Sequence, residues 1–190
     1  MKKFRKLISL IPLMIVWLMA CVIFWGWIFT MITDTSPAHK IVLCADVSVI
    51  NEKELSLLLE SEMPENIYMV KVHSFSYAMF DSDTLRKADL LIVREQDIDT
   101  YKDWFAPLPD SFLDKPFTYC MPDDSVGGIR IYDSVNSTGS ACSLIRYSDP
   151  GKEPSDYYLF FRASSNHVQN WNDACDDAAV IAANLLLSLI

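Results

Sequence analysis

The run from Leu7 to Ile32 carries no charge in 26 residues, and this constrains the chain more than any other feature. As a helix rising roughly 1.5 Å per residue it is about 39 Å long, enough to cross a hydrocarbon core of about 30 Å with some tilt. Lys2, Lys3, Arg5 and Lys6 precede the run, and all 25 acidic residues follow it. A basic flank stays on the cytoplasmic side, which places Asp34 onward outside. Trp25 and Trp27 fall near the outer end, where indoles favour the interface, and Pro12 near the inner end. A cleaved signal peptide has a shorter apolar core and a small-residue cleavage site. Leu18-Met19-Ala20-Cys21 resembles a lipobox, yet Val22 to Phe29 prolongs the apolar run where a lipidated cysteine is usually followed by polar residues. The reading is a basic cytoplasmic tail (1–6), a single-pass signal anchor (7–32), a linker (33–39) and an extracytoplasmic domain (40–190) held at the cell membrane.

Beyond the anchor the chain reads as strand, helix, strand, helix, strand. Lys40 to Asp46 and Ala88 to Arg94 are nearly unbroken apolar runs, as expected of strands covered on both faces by crossover helices. Ile67 to His73 is the strand between them. Asn51, with Glu54 three residues on, forms a capping box ahead of Leu55, Leu58 and Leu59. Asp81 or Asp83 caps a short second helix, and Glu95 to Trp104 carries Ile98, Tyr101 and Phe105 at helical spacing. Phe117 to Met121 is a further strand candidate. Gly127-Gly128 marks a turn before the alternating Ile129 to Asp133, and Ser143 to Tyr147 is expected to pair back as a hairpin. Tyr157 to Phe161 is the most aromatic strand and should be central. A final Ala-rich helix runs from about Asn172 to Ile190. The fold class is therefore α/β, a three-layer, mostly parallel sheet flanked by helices and preceded by one transmembrane helix.

From Thr33 onward 12 Lys/Arg face 25 Asp/Glu, a net charge of −13. So acidic a surface repels phosphate backbones, which argues against nucleic-acid binding. Glycine motifs for nucleotides and paired cysteine or histidine ligands are absent, so no cofactor or metal is expected. The acids Asp173, Asp176 and Asp177 suit a helix N-terminus. Cys120 and Cys142 flank the same irregular region and are the pair best placed for a disulfide, while the odd count of three outside thiols favours free cysteines.

Ala88-Asp89-Leu90-Leu91-Ile92-Val93, the late strand Tyr157 to Phe161, the turn Ala163-Ser-Ser-Asn-His167 and the closing helix resemble, in that order, one lobe of a type 2 periplasmic solute-binding protein. Members of that family capture substrates for bacterial importers. The resemblance implies an open α/β lobe that recognises a small solute or a membrane transport protein without catalysing a reaction. The chain departs from the family in length: about 50 residues between Phe105 and Asp156 are too few for the second lobe that closes over a ligand.

In an open parallel sheet, ligands sit beyond the carboxyl ends of the strands. Those ends carry Asp46 and Ser48 after the first strand, His73, Ser76 and Tyr77 at the second, and Arg94 and Glu95 at the third. These seven form the candidate ligand-binding rim, and their alternative role is to cap helices and satisfy loop backbone. Asp46-Val47-Ser48 lacks the second acid that phosphotransfer enzymes place two residues on, and no glycine-framed serine elbow occurs, so no catalytic residue is assigned.

Overall fold

Two-sided burial organises the second of the chain's two units. The computed structural model describes residues 2–33, 35–75, 83–108, 112, 118–120, 127–148, 153–167 and 174–189; for 2–11, 31–33, 83, 118–120 and 174–177 only the backbone is described. It divides into Met1–Ser36 and Pro37–Ile190.

The first unit is α1 (Lys2–Thr33), with Pro12 inside it. Its span Pro12–Thr30 is long and apolar enough to cross a membrane, and none of it is buried. Trp17, Ile23, Trp25 and Phe29 are all more than half exposed. Apolar surface on this scale calls for lipid or a partner rather than water.

In the second unit the described strands and helices run β1 (Lys40–Ala45), β2 (Ser48–Val49), α2 (Glu52–Glu60), β3 (Met69–Ser74), α3 (Asp83–Arg86), β4 (Leu90–Arg94), α4 (Ile98–Tyr101), β5 (Thr118–Cys120), β6 (Gly127–Asp133), β7 (Thr138–Gly139), β8 (Ile145–Arg146), β9 (Tyr157–Phe161) and α5 (Ala174–Ser188). Short 3-10 turns, Glu95–Asp97 and Lys102–Trp104, flank α4, so the expected third helix is a broken one. The main sheet has the order β3-β1-β4-β9-β6-β5, with β7 also on β6. β1 pairs in parallel with β3 and β4, as the strand–helix repeat requires.

The remainder corrects the expectation of a mostly parallel sheet. β9 runs antiparallel to β4, and β6 antiparallel to β9, β5 and β7. The sheet is therefore mixed, parallel across β3, β1 and β4 and antiparallel from β4 through β9 and β6 to β5; only parallel neighbours require a crossover connection between them. The expected hairpin over Ser143 to Tyr147 does not form: Ile145–Arg146 pairs instead with Ser48–Val49, and Thr138–Gly139 returns onto β6. β9 is interior to the sheet, as its five aromatic and leucine side chains suggested.

Alternation along the strands sorts the core into two clusters. Ile41, Leu43, Leu90, Ile92, Leu159 and Phe161 meet Leu55 and Leu59 of α2 and Ala178, Ala182 and Leu186 of α5. Val42, Cys44, Leu91, Val93, Tyr158 and Phe160 meet Leu85 of α3 and Ile98 and Tyr101 of α4. Each such buried Leu, Ile or Phe contributes about 1.5–3 kcal/mol. The alanines of α5 let it lie close on the sheet. The Asn51 box is in place: Asn51 Oδ1 accepts from the Glu54 N–H at 3.2 Å, and its amide donates to Glu54 at 2.8 Å.

Gly127 and Gly128 do not make a turn; they begin β6. A Cβ on Gly128 would lie 2.5 Å from the ring of Phe160, and that ring is fixed by stacking on Phe105 at 3.9 Å. Gly128→Ala should therefore destabilise the domain by about 1–3 kcal/mol, the usual cost of overpacking. Urea denaturation of the full chain in detergent micelles checks this.

Candidate functional site

Backbone and side-chain hydrogen bonds occupy much of the carboxyl edge of the parallel strands, where ligand contacts were expected. Asp46 is half-buried, and its N–H donates to Ile92 at 2.8 Å. Ser48 lies in β2, opposite Arg146 of β8. The Ser74 hydroxyl accepts from the Val49 N–H at 2.9 Å, and the Ser74 N–H donates to Glu52 at 3.0 Å. These two bonds pin β2 and the start of α2 against the end of β3. His73, in register with Cys44, falls by alternation on the face of the second cluster. Arg94 falls by alternation on the other face, and its guanidinium donates to the Glu153 carbonyl. The buried Nε of Arg94 has no partner among the described residues. Glu95 is exposed, and its N–H donates to the Asp156 carbonyl at 2.9 Å. Ser76 and Tyr77 lie outside the described residues. His73 and Arg94 are thus divided between the two faces of the sheet.

One group at this edge was missed by the sequence reading. Asp156 accepts from the N–H and hydroxyl of Ser134, at 2.8 and 2.7 Å, and from Arg130 at 3.4 Å. Arg130 also pairs with Asp133 at 3.5 Å. The backbone N–H of Asn136, followed by its side-chain amide, holds the half-buried Asp133 carboxyl below the usual range.

A denser polar cluster sits at the opposite, amino edge. Asp89, buried just before β4, accepts from the Val42 N–H at 2.7 Å and from the Ser165 hydroxyl. The Ser165 oxygen accepts in turn from the His167 N–H at 2.9 Å. His167 is 1% exposed. Its Nε2 lies 3.0 Å from the carbonyls of both Pro37 and Lys40, so this nitrogen carries the proton and donates. Nδ1 is buried and has no partner among the described residues. Beside the cluster, Arg162 donates to Ser164 at 2.8 Å and to the Leu85 carbonyl, and lies 4.4 Å over the Trp104 ring. Burial lowers the Arg162 pKa. Burial also pushes the Asp89 carboxyl up to about 6, against the downward pull of the Ser165 hydroxyl, His167, the Val42 amide and Lys40. A cleft of about 170 Å³ opens at this edge, with Lys40, Arg86, Lys87, Asp89, Ser164 and Asn166 in its lining.

Ser165, His167 and Asp89 are residue types of a hydrolytic triad, but the geometry differs from one. The serine donates directly to the aspartate, and the imidazole donates to two carbonyls, so nucleophile and base are not joined. Among the described residues no three His, Cys, Asp or Glu side chains gather as metal ligands. Cys142 is free and exposed, in line with the free cysteines that the odd count favoured over a bridge to Cys120; Cys44 is also free, and burial pushes its thiol up to about 12.

No protein family model matches the chain, and neither a curated protein nor a solved structure shows significant similarity to it.

Because the Asp89 pKa is raised in the fold, the native state binds more protons than the unfolded chain between pH about 4 and 6. Its contribution to stability is therefore greatest below about pH 4 and falls as pH rises to 6. Asp89→Asn keeps an acceptor for Val42 and removes this titration. The variant should gain on the wild type by on the order of 2 kcal/mol between pH 4 and 7. Paired urea denaturation of the full chains at the two pH values measures the change.

Proposed function

We propose that the chain is a single-pass, membrane-tethered module whose α/β domain lies on the extracytoplasmic side and acts by recognition rather than catalysis. The observation that carries this reading is the wholly unburied apolar span Pro12–Thr30, preceded by Lys2, Lys3, Arg5 and Lys6 and followed within a few residues by the Pro37–Ile190 unit. A helix of that kind is stable in lipid, and its basic flank orients it. The domain is read as three layers, with α2 and α5 on one face of the sheet and α3 and α4 on the other, in keeping with the two core clusters. This arrangement supports the likeness to one lobe of a solute-binding protein. The recognised species is a small solute or a membrane transport protein, met at the rim of Asp46, Ser48, His73, Arg94 and Glu95. The buried Nε of Arg94, which has no partner among the described residues, marks the place within that rim that favours an incoming acceptor.

A second reading, a pure interaction domain without a small ligand, is favoured by the bonds that Ser74, Glu52, Arg94 and Asp156 already make within the protein. The two readings part on one measurement. A ligand-induced rise in melting temperature, found in a solute panel and lost in Arg94→Ala, supports solute recognition; no rise with any solute supports the interaction domain.

Orientation is checked through Cys142, which is exposed. Partial burial pushes its thiol up, so labelling is done at about pH 9. In intact cells carrying a Cys120→Ser, Cys175→Ser variant, a membrane-impermeant maleimide should label the protein, and adding Cys142→Ser should abolish the signal. Labelling only after lysis would place the domain inside.

A further inference from the structure

We propose that the cleft at the amino edge of the sheet binds a phosphate-bearing anion, with Lys87 and Asn166 as its principal donors and Lys40 and Arg86 completing the positive field. Within a domain of net charge −12 (24 acids against 12 bases from Pro37 onward), three of the charged groups lining this cleft are cations and one, Asp89, is an acid. That reverses the local sign of charge. Such a reversal concentrated in a concave site draws anions in and holds them more strongly than scattered surface lysines do.

The free donors are specific. Lys87 and Asn166 are exposed, and neither the ammonium nor the amide has a partner among the described residues. Asp89 does not close the site against anions, because its carboxylate already accepts from Val42 and Ser165 and is turned to protein donors. The Ser165 hydroxyl is spent on that carboxylate, while Ser164, at the mouth, accepts from Arg162 and keeps its own hydroxyl proton to donate. At about 170 Å³ the cleft is smaller than the roughly 300–1,000 Å³ of pockets for extended solutes. It suits one tetrahedral phosphate group.

Two sources share this chemistry. Pro37, which also lines the cleft, follows the end of α1 at Thr33 by four residues, so a phospholipid headgroup is one source. Free phosphate or a small phosphomonoester is the other. The site lies at the opposite edge from the rim discussed above and stands or falls independently of it.

The test uses the full chain in dodecyl maltoside micelles, titrated calorimetrically with inorganic phosphate. Saturable one-to-one binding is expected, weakened at least about tenfold in Lys87→Glu, where one attractive charge becomes repulsive. Asn166→Ala should weaken it less, and Lys53→Glu, on the exposed side of α2, should leave it unchanged. Circular dichroism confirms that each variant is folded. The same titration is then run in nanodiscs of phosphatidylcholine with and without phosphatidic acid. Competition by phosphatidic acid identifies the headgroup as the source, and its absence identifies free phosphate. No saturable binding in micelles, or equal binding by wild type and folded Lys87→Glu, overturns the proposal.

Discussion

Asp89 is the point on which the two halves of the domain depend. Its carboxylate takes the Val42 amide of β1 and the Ser165 hydroxyl of the turn after β9. Its backbone N–H donates to Val42, and its carbonyl accepts from Arg162 at the end of β9. One residue thus joins the parallel part of the sheet to the antiparallel part and fixes the turn that carries His167. His167 in turn fastens Pro37 and Lys40, the first residues of the unit. A buried carboxylate is tolerated when its oxygens are met by donors; stripped of them it would carry the full desolvation penalty.

The two edges of the sheet are consequently used in different ways. At the carboxyl edge, short strands and loop residues pack down on the strand ends and engage many of the polar groups found there. At the amino edge a buried acid with raised pKa lies beneath exposed cations. A likeness to solute-binding lobes directs attention to the first edge, yet the cleft described above lies at the second.

Much of the fold was legible because two strands advertise themselves. Lys40 to Ala45 and Leu90 to Arg94 are apolar without alternation, which only strands buried on both faces sustain. The Asn51 cap, the interior place of Tyr157 to Phe161 and the alanine face of α5 follow from equally local chemistry. The strand directions beyond β4 were not legible, because antiparallel pairing of β9 depends on tertiary contacts with no local pattern. Gly127 and Gly128 misled for a related reason: glycine signals either a turn or a close approach, and here Phe160 supplies the approach. The amino-edge cluster was present in the text of the chain as Ala88-Asp89 and Ser164 to His167. About 75 residues separate the two segments, and only the fold shows that they meet.

The pairing of β4 with β9 has one further consequence. β1, β3 and β4 are complete once the first half of the domain has been made, whereas Leu90 meets Phe161 only roughly 70 residues later. During vectorial synthesis the outer backbone of Leu90 to Arg94, with its row of unpaired amides and carbonyls, waits for the most aromatic segment of the chain to arrive. That open flank is where a neighbouring nascent copy can dock in error, so high local crowding of unfinished chains is what this architecture withstands least.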